Sequence, residues 1–161
     1  MLYRVKQFYR AITATISFED KEWIENFLSL EEQKLFFSLR VYEQKHCLEV
    51  AKLLDKWTEG KDEMIRLGLL HDIGKIKYPL NPIEKSIIVL LDKFTRGKVK
   101  KLEGIKMVKC YYEHPHIGCD LLVRIQQYDP SFLECINLHH DYQNAELTED
   151  LVLLVKADNL C

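Results

Sequence analysis

At 161 residues the chain is long enough to bury about two thirds of its unfolded surface as one domain, so no disulfide or structural metal is required merely to hold a core. Its 23 basic residues against 25 acidic leave a net charge of −2, which excludes the global polyanion-binding signature of a DNA-binding domain. Five cysteines, odd in number and without a C-x-x-C, exclude a disulfide framework and a zinc knuckle and read as reduced, mostly buried thiols. No apolar run approaches the ~18 residues that span a bilayer, and MLYRVKQFYR carries charges where a signal peptide has its apolar segment. A cytoplasmic chain without a membrane segment is expected.

The patterning is helical nearly throughout. Residues 19–39 read as two helices meeting near Ser29. A longer helix over 40–57 places His46, Val50, Leu53 and Trp57 on one stripe, which turns His46 inward. From Lys61 the next helix aligns Met64, Leu67 and His71 beside Ile65, Leu69 and Asp72, and Gly74 is expected to end it. The sequence LGLLHDIGKIKYP therefore steers a His-Asp pair to the core side of a helix end, where burial costs several kcal/mol or more unless the charge is compensated. Pro79 and Pro82 bracket a loop, and Glu84 to Phe94 is apolar enough for another buried helix.

In EHPHIGCDLL, His114 stands at an N-cap-like position with Pro115 in the first turn, followed by Ile117, Leu121, Leu122 and Ile125 on one face. DPSFLECINLHHD repeats the device: Asp129 caps, Pro130 is first, Phe132, Leu133 and Ile136 face inward, and His139-His140 close the helix. In the last helix Thr148 caps, Glu149 and Asp150 suit the dipole, and Asp158 follows Val155 on the apolar side. Asp158 stands three residues from the last residue, so contacts elsewhere must pin it. The six histidines (46, 71, 114, 116, 139, 140) each lie at a predicted helix end or on an inward stripe. Imidazole and carboxylate ligands gathered in a bundle core suit divalent transition metals such as Fe, Mn, Ni, Co or Zn, and a bound dication compensates a buried Asp72.

His46, the His71-Asp72 doublet in HDIGK and Asp158, in that order, resemble the HD-domain metal-dependent phosphohydrolases over about residues 40–158. The resemblance implies an all-α fold, a single HD-domain helical bundle (40–161) with the metal site in its core and residues 1–39 packed on it as a helical extension. His114-Pro115 with Gly118, and His139-His140, are similar to the HD-GYP subgroup of cyclic-dinucleotide phosphodiesterases. Two features depart from that subgroup: DYQNAELTED follows His139-His140 with no Gly-Tyr-Pro, and Tyr42 stands four residues before His46, where three-metal members carry a glutamate. A two-metal site and a substrate other than cyclic di-GMP are therefore expected. Carried over residue by residue, the resemblance implies one metal on His46, His71, Asp72 and Asp158, and a second on His114 and His139 with Asp72 bridging. His140 is expected to ligate or to touch the phosphate. Lys75 matches the lysine that approaches the scissile phosphate, and Asp72 and Lys75 are the expected catalytic residues of a nucleotide or phosphoester hydrolase working through a metal-activated hydroxide.

Other readings stand beside these. Lys75 also suits the role of a helix-end charge facing the dipole. His116 points away from His114 and reads as a surface or capping residue. Phe8, Phe18, Trp23, Phe27, Phe36 and Phe37 read as core, and Glu43 and Glu49 as solvated or supporting groups one turn either side of His46. The segment Lys93 to Lys109 carries +6 against −8 for the rest of the chain, a solvated face or a phosphate-attracting lip. The rival functions are a mixed-valent di-iron oxygenase of the same fold and a non-catalytic regulatory module.

Overall fold

The computed structural model describes residues 13–142 and 147–161. Among them all regular structure is helical: α1 Phe18–Phe27, α2 Leu30–Ser38, α3 Val41–Trp57, α4 Asp62–Leu70, α5 Pro82–Thr95, α6 Lys106–Leu122, α7 Pro130–Leu138 and α8 Glu149–Leu160, with 3-10 turns at Ile73–Ile76 and Lys98–Lys101. Local chemistry sets most of the starts. Ser29 and Glu32 form a reciprocal capping box at α2, and Asn81 and Glu84 form another at α5 ahead of Pro82. Asp129 accepts from the Ser131 amide before Pro130 opens α7, and Thr148 accepts from the Leu151 amide at α8. Each cap satisfies amides that a helix start leaves without partners.

The main core draws Ile24, Phe36, Leu48, Leu67, Ile136 and Leu154 from helices along the whole chain. A smaller apolar cluster of Leu80, Ile88, Val99, Val108 and Cys110 lies under α5. Glu32, fully buried, ties α2 to the rest: it accepts from Arg66 on α4 at 2.6 Å and from the Tyr128 hydroxyl ahead of α7 at 2.8 Å. Cys47, Cys110, Cys119 and Cys135 are free thiols. No helix among the described residues is long and apolar enough to cross a membrane.

Two glycines set the distances on which the site depends. A Cβ on Gly68 would lie 2.7 Å from the Ala51 Cα, so α4 approaches α3 more closely than any side chain allows. A Cβ on Gly74 would overlap the His114 carbonyl oxygen and lie 2.6 Å from the Gly118 amide nitrogen. The 3-10 turn after Asp72 therefore rests directly on the α6 backbone.

Four expectations are corrected here. Gly74 does not end α4, which stops at Leu70; it lies inside the following 3-10 turn because the α6 backbone leaves no room for a side chain there. His114 is not at a helix start: α6 begins at Lys106 and runs through His114 and a buried Pro115. The fixed φ of proline is compatible with helical backbone, so the same residue that opens a helix can be carried inside one, at the cost of an amide hydrogen bond. The helix read as buried over 84–94 buries only Ile88. Phe18, read as core, is 71% exposed, while Phe36 is fully buried and Trp23, Phe27 and Phe37 are partly so; Phe8 lies outside the described residues.

Gly74→Ala is expected to lower stability by about 3 kcal/mol in urea denaturation, because backbone on both sides must move to admit the methyl group. Gly104→Ala, with no neighbour within 4 Å of the added carbon, is the matched control, and its change is expected to stay within about 0.5 kcal/mol.

Candidate metal centre

Five elements deliver side chains to one point. His46 projects from α3, His71 and Asp72 follow the last residue of α4, His114 comes from the middle of α6, His139 and His140 follow α7, and Asp158 lies in the last turn of α8. His71, Asp72, His114 and His139 are buried, His46 and Asp158 are half-buried, and His140 is exposed at the rim. The imidazole rings form a continuous arc: ring centroids are 5.4 Å apart for His46 and His71, 5.2 Å for His71 and His139, and 5.4 Å for His139 and His114. His140 completes it, 4.2 Å from His139 and 5.0 Å from His114.

Asp72 is the centre of this arc, and its two oxygens face different partners. Oδ1 lies 3.1 Å from His114 Nε2 and 3.7 Å from His139 Nε2. Oδ2 lies 3.5 Å from His71 Nε2 and 3.7 Å from His46 Nε2, and it also accepts from the Lys75 ammonium. Asp158 Oδ1 joins the second group, 2.9 Å from His46 Nε2 and 3.7 Å from His71 Nε2. Two metal-compatible clusters result, His46-His71-Asp72 and Asp72-His114-His139-His140, each with its ligand atoms within 4.8 Å of one another. They share Asp72.

The tautomers are set by the backbone. His71 Nδ1 lies 2.8 Å from the Gly68 carbonyl, His114 Nδ1 2.8 Å from that of Cys110, and His139 Nδ1 2.6 Å from that of Ile136. A carbonyl only accepts, so each Nδ1 carries the proton and donates, and each Nε2 presents a lone pair to the centre. His71 Nε2, His114 Nε2, His139 Nε2 and Asp72 Oδ1 are buried with no hydrogen-bond partner. Orphaned buried polar atoms are rare, and four converging on one place fit the coordination shell of cations taking nitrogen and oxygen ligands.

Sequence reasoning brought together the residues at 46, 71, 72, 114, 139, 140 and 158, and placed His116 correctly on the surface. It did not find what stands behind Lys75. Glu43, buried one turn before His46, accepts from Lys75 at 3.3 Å and from Lys85 on α5 at 3.0 Å. Tyr42 points elsewhere, its hydroxyl donating to the Leu80 carbonyl at 2.9 Å. The available signal was that Glu43 shares the His46 side of α3, but its partners lie far along the chain.

Electrostatics follow from this packing. Burial opposes ionisation of Asp72, but the adjacent Lys75 ammonium, backed by the surrounding imidazoles, outweighs it and holds the carboxyl well below the usual range. Asp158 behaves likewise, burial being outweighed by the close His46 imidazole with His71 beside it. Burial works against the Lys75 ammonium, yet Asp72 and Glu43 keep it charged well above its usual range. Burial pushes the His114 imidazole down to about 4 despite Asp72, which keeps its Nε2 lone pair available at neutral pH.

A family model described as HD domain matches residues 44–161. The chain belongs to the HD domain family. No match is found among curated proteins or among solved structures. HD domains form a superfamily composed mostly of metal-dependent phosphohydrolases, and the arc around Asp72 is a cluster in this HD domain that could hold a divalent metal.

The depressed His114 value has a direction that is open to measurement. Its folded value, about 4, lies below the unfolded value near 6.5, so the native chain binds fewer protons than the unfolded one between these limits. The metal-free chain is therefore expected to lose stability as pH falls from about 6.5 to about 4, by up to about 3 kcal/mol relative to a His114→Gln variant. Paired urea denaturation series in chelator check the slope, and an imidazole NMR titration checks that His114 stays neutral above pH about 4.

Proposed function

We propose that this HD-domain protein is a metal-dependent phosphohydrolase acting on a nucleotide or a related phosphoester. The observation that carries the reading is the division of labour at Asp72: one buried carboxylate faces two imidazole groups with its two oxygens and a buried ammonium with one of them. In this reading His46, His71, Asp72 and Asp158 hold one divalent ion. His114, His139 and Asp72 would hold a second, with His140 at the rim beside them. When bound, such a pair supplies Lewis acidity, acidifying water and neutralising phosphoryl oxygens.

The protein's own residues do the rest. The backbone carbonyls of Gly68, Cys110 and Ile136 hold the Nδ1 side of three imidazoles and aim their Nε2 atoms at the centre, so none must rotate on loading. Lys75 holds a fixed positive charge next to the ligand carboxylate, where it meets charge growing on a phosphoryl oxygen. Glu43 and Asp72 set its position from two sides. The basic segment 93–109 raises the local concentration of an anionic substrate, although part of its charge is engaged: Lys106 lies 3.9 Å from Glu84, and Lys100 and Lys109 lie over the rings of Tyr112 and Tyr78. A lysine cation beside the ligands favours phosphate over oxygen chemistry, and the missing Gly-Tyr-Pro favours linear phosphoesters over cyclic di-GMP.

Elemental analysis is expected to give about two ions per chain at saturation and a loss of both in Asp72→Ala, because the two ligand sets meet there. Lys75→Ala is expected to keep its metal and lose ~100-fold or more in turnover on the best of a panel of nucleotides and phosphoesters. Glu43 retains Lys85 in that variant, so no buried carboxylate is stranded. One ion or fewer per chain would remove the binuclear arrangement; a fully loaded chain inert across the panel would remove the hydrolase.

A further inference from the structure

Helix α5 sits on the molecule with its apolar side outward. Of its side chains only Ile88 is buried, in the small cluster with Leu80, Val99, Val108 and Cys110. Polar contacts anchor the inner side: Lys85 reaches Glu43, Asp92 accepts from the hydroxyls of Tyr111 and Tyr112, and Lys106 approaches Glu84. The outer side carries Ile83, Ile87, Leu90, Leu91 and Phe94, exposed by 60, 42, 50, 40 and 82%. At ~100° per residue these five fall within an arc of about 100°, one continuous stripe without a charge inside it. Taking ~180 Å² for a whole large apolar side chain, the stripe leaves roughly 500 Å² of apolar surface in water, at the upper end of what a soluble monomer exposes in one patch.

We propose that this stripe is a homodimer interface, α5 packing antiparallel against α5 of a second copy about a two-fold axis. Three features of the helix favour a second copy. Two stripes facing each other bury about 1,000 Å² of apolar surface before flanking side chains are counted, which meets the lower bound for a specific interface. An isologous contact must be self-complementary, and the spacing of Ile83, Ile87, Leu90 and Phe94 (four, three, four) reads the same in both directions. In the antiparallel arrangement Ile83 stands opposite the projecting Phe94 of the other copy, and Ile87 opposite Leu90. The flanks also accept this order. Glu84 comes near Thr95 of the other copy and Lys93 near Ser86, so no like charges are forced together, and the two helix dipoles oppose rather than align. A parallel pairing would align them.

The arrangement is independent of the proposed reaction and is tested without it. Sedimentation equilibrium of the full chain is expected to give a dimer. Leu90→Glu, at a half-exposed position that leaves the core untouched, is expected to raise the dissociation constant about 100-fold or more, since the substitution enters the interface twice. Its helical circular dichroism and metal content are expected to match the parent. Register is read by an Ile83→Cys, Phe94→Cys double variant. Positions 83 and 94 lie ~16 Å apart along one rigid helix, too far for a disulfide within a chain. Mild oxidation should therefore give a covalent dimer whose peptide map links 83 to 94. A monomer at every concentration up to the solubility limit, or a dimer unmoved by Leu90→Glu, would overturn the interface; 83-to-83 linkage would overturn the antiparallel order.

Discussion

One buried carboxylate governs this structure. Asp72 is 1% exposed, and an ion so removed from water is tolerated only where opposite charge and hydrogen-bond donors surround it. Four imidazoles and an ammonium do so here, and they arrive from different helices. The requirement explains why two close backbone approaches, at Gly68 and Gly74, lie beside it. The Gly68 approach draws α4 onto α3 and brings His71 toward His46; the Gly74 approach lays the following turn on α6 and brings Asp72 to His114. A side chain at either glycine would open the arc before it altered any ligand.

The same local device recurs three times around the carboxylate. His71 and His139 each occupy the position just after a helix, and each ring nitrogen reaches the carbonyl three residues back, within the last turn of that helix. Helix ends carry carbonyls without intrahelical donors, so an imidazole N–H placed there satisfies backbone and fixes its own tautomer at once. His114 achieves the result differently, inside a continuous helix, by turning back to the carbonyl four residues earlier. A helix end is thus a convenient place for a ligand histidine, not a necessary one.

That difference separates what was legible in the sequence from what was not. The stripe over His46, Val50, Leu53 and Trp57, the break near Ser29, the caps at Asp129 and Thr148, and the order His46, His71-Asp72, His114, His139, Asp158 are local or periodic signals. They identified the helices and the members of the site. His114 was placed at a helix start because Pro115 looks the same to a local reading whether it opens a helix or is carried inside one. Gly74 looked like a stop signal because a sequence does not display the opposing backbone that forbids a side chain. Glu43 was left between a solvated and a supporting role, since a glutamate on a helix is ordinarily solvated and only the fold brings Lys75 and Lys85 to it. The outward turn of α5 was hidden for the same reason: an apolar helix declares that it needs a partner but not on which side the partner lies.

Glu43 gives the last step, because it joins the two sides of α5 to the centre. The ion sequence Asp72, Lys75, Glu43, Lys85 alternates in sign from the buried carboxylate to the outer helix. Each interior member is shared between a neighbour on either side, so a substitution at one is felt at two, and buried chains of this kind respond as units rather than as sums of pairs. Burial opposes the charge on Glu43, yet Lys75 and Lys85 hold its carboxyl down at about 2, so the chain stays ionised throughout the neutral range. Whatever fixes α5 therefore also fixes the ammonium beside Asp72. The helix is held from inside by this charge chain, by the Asp92 and Glu84 contacts and by Ile88 alone among its apolar residues, and covering its outer stripe would narrow the positions open to Lys85 and, through Glu43, to Lys75.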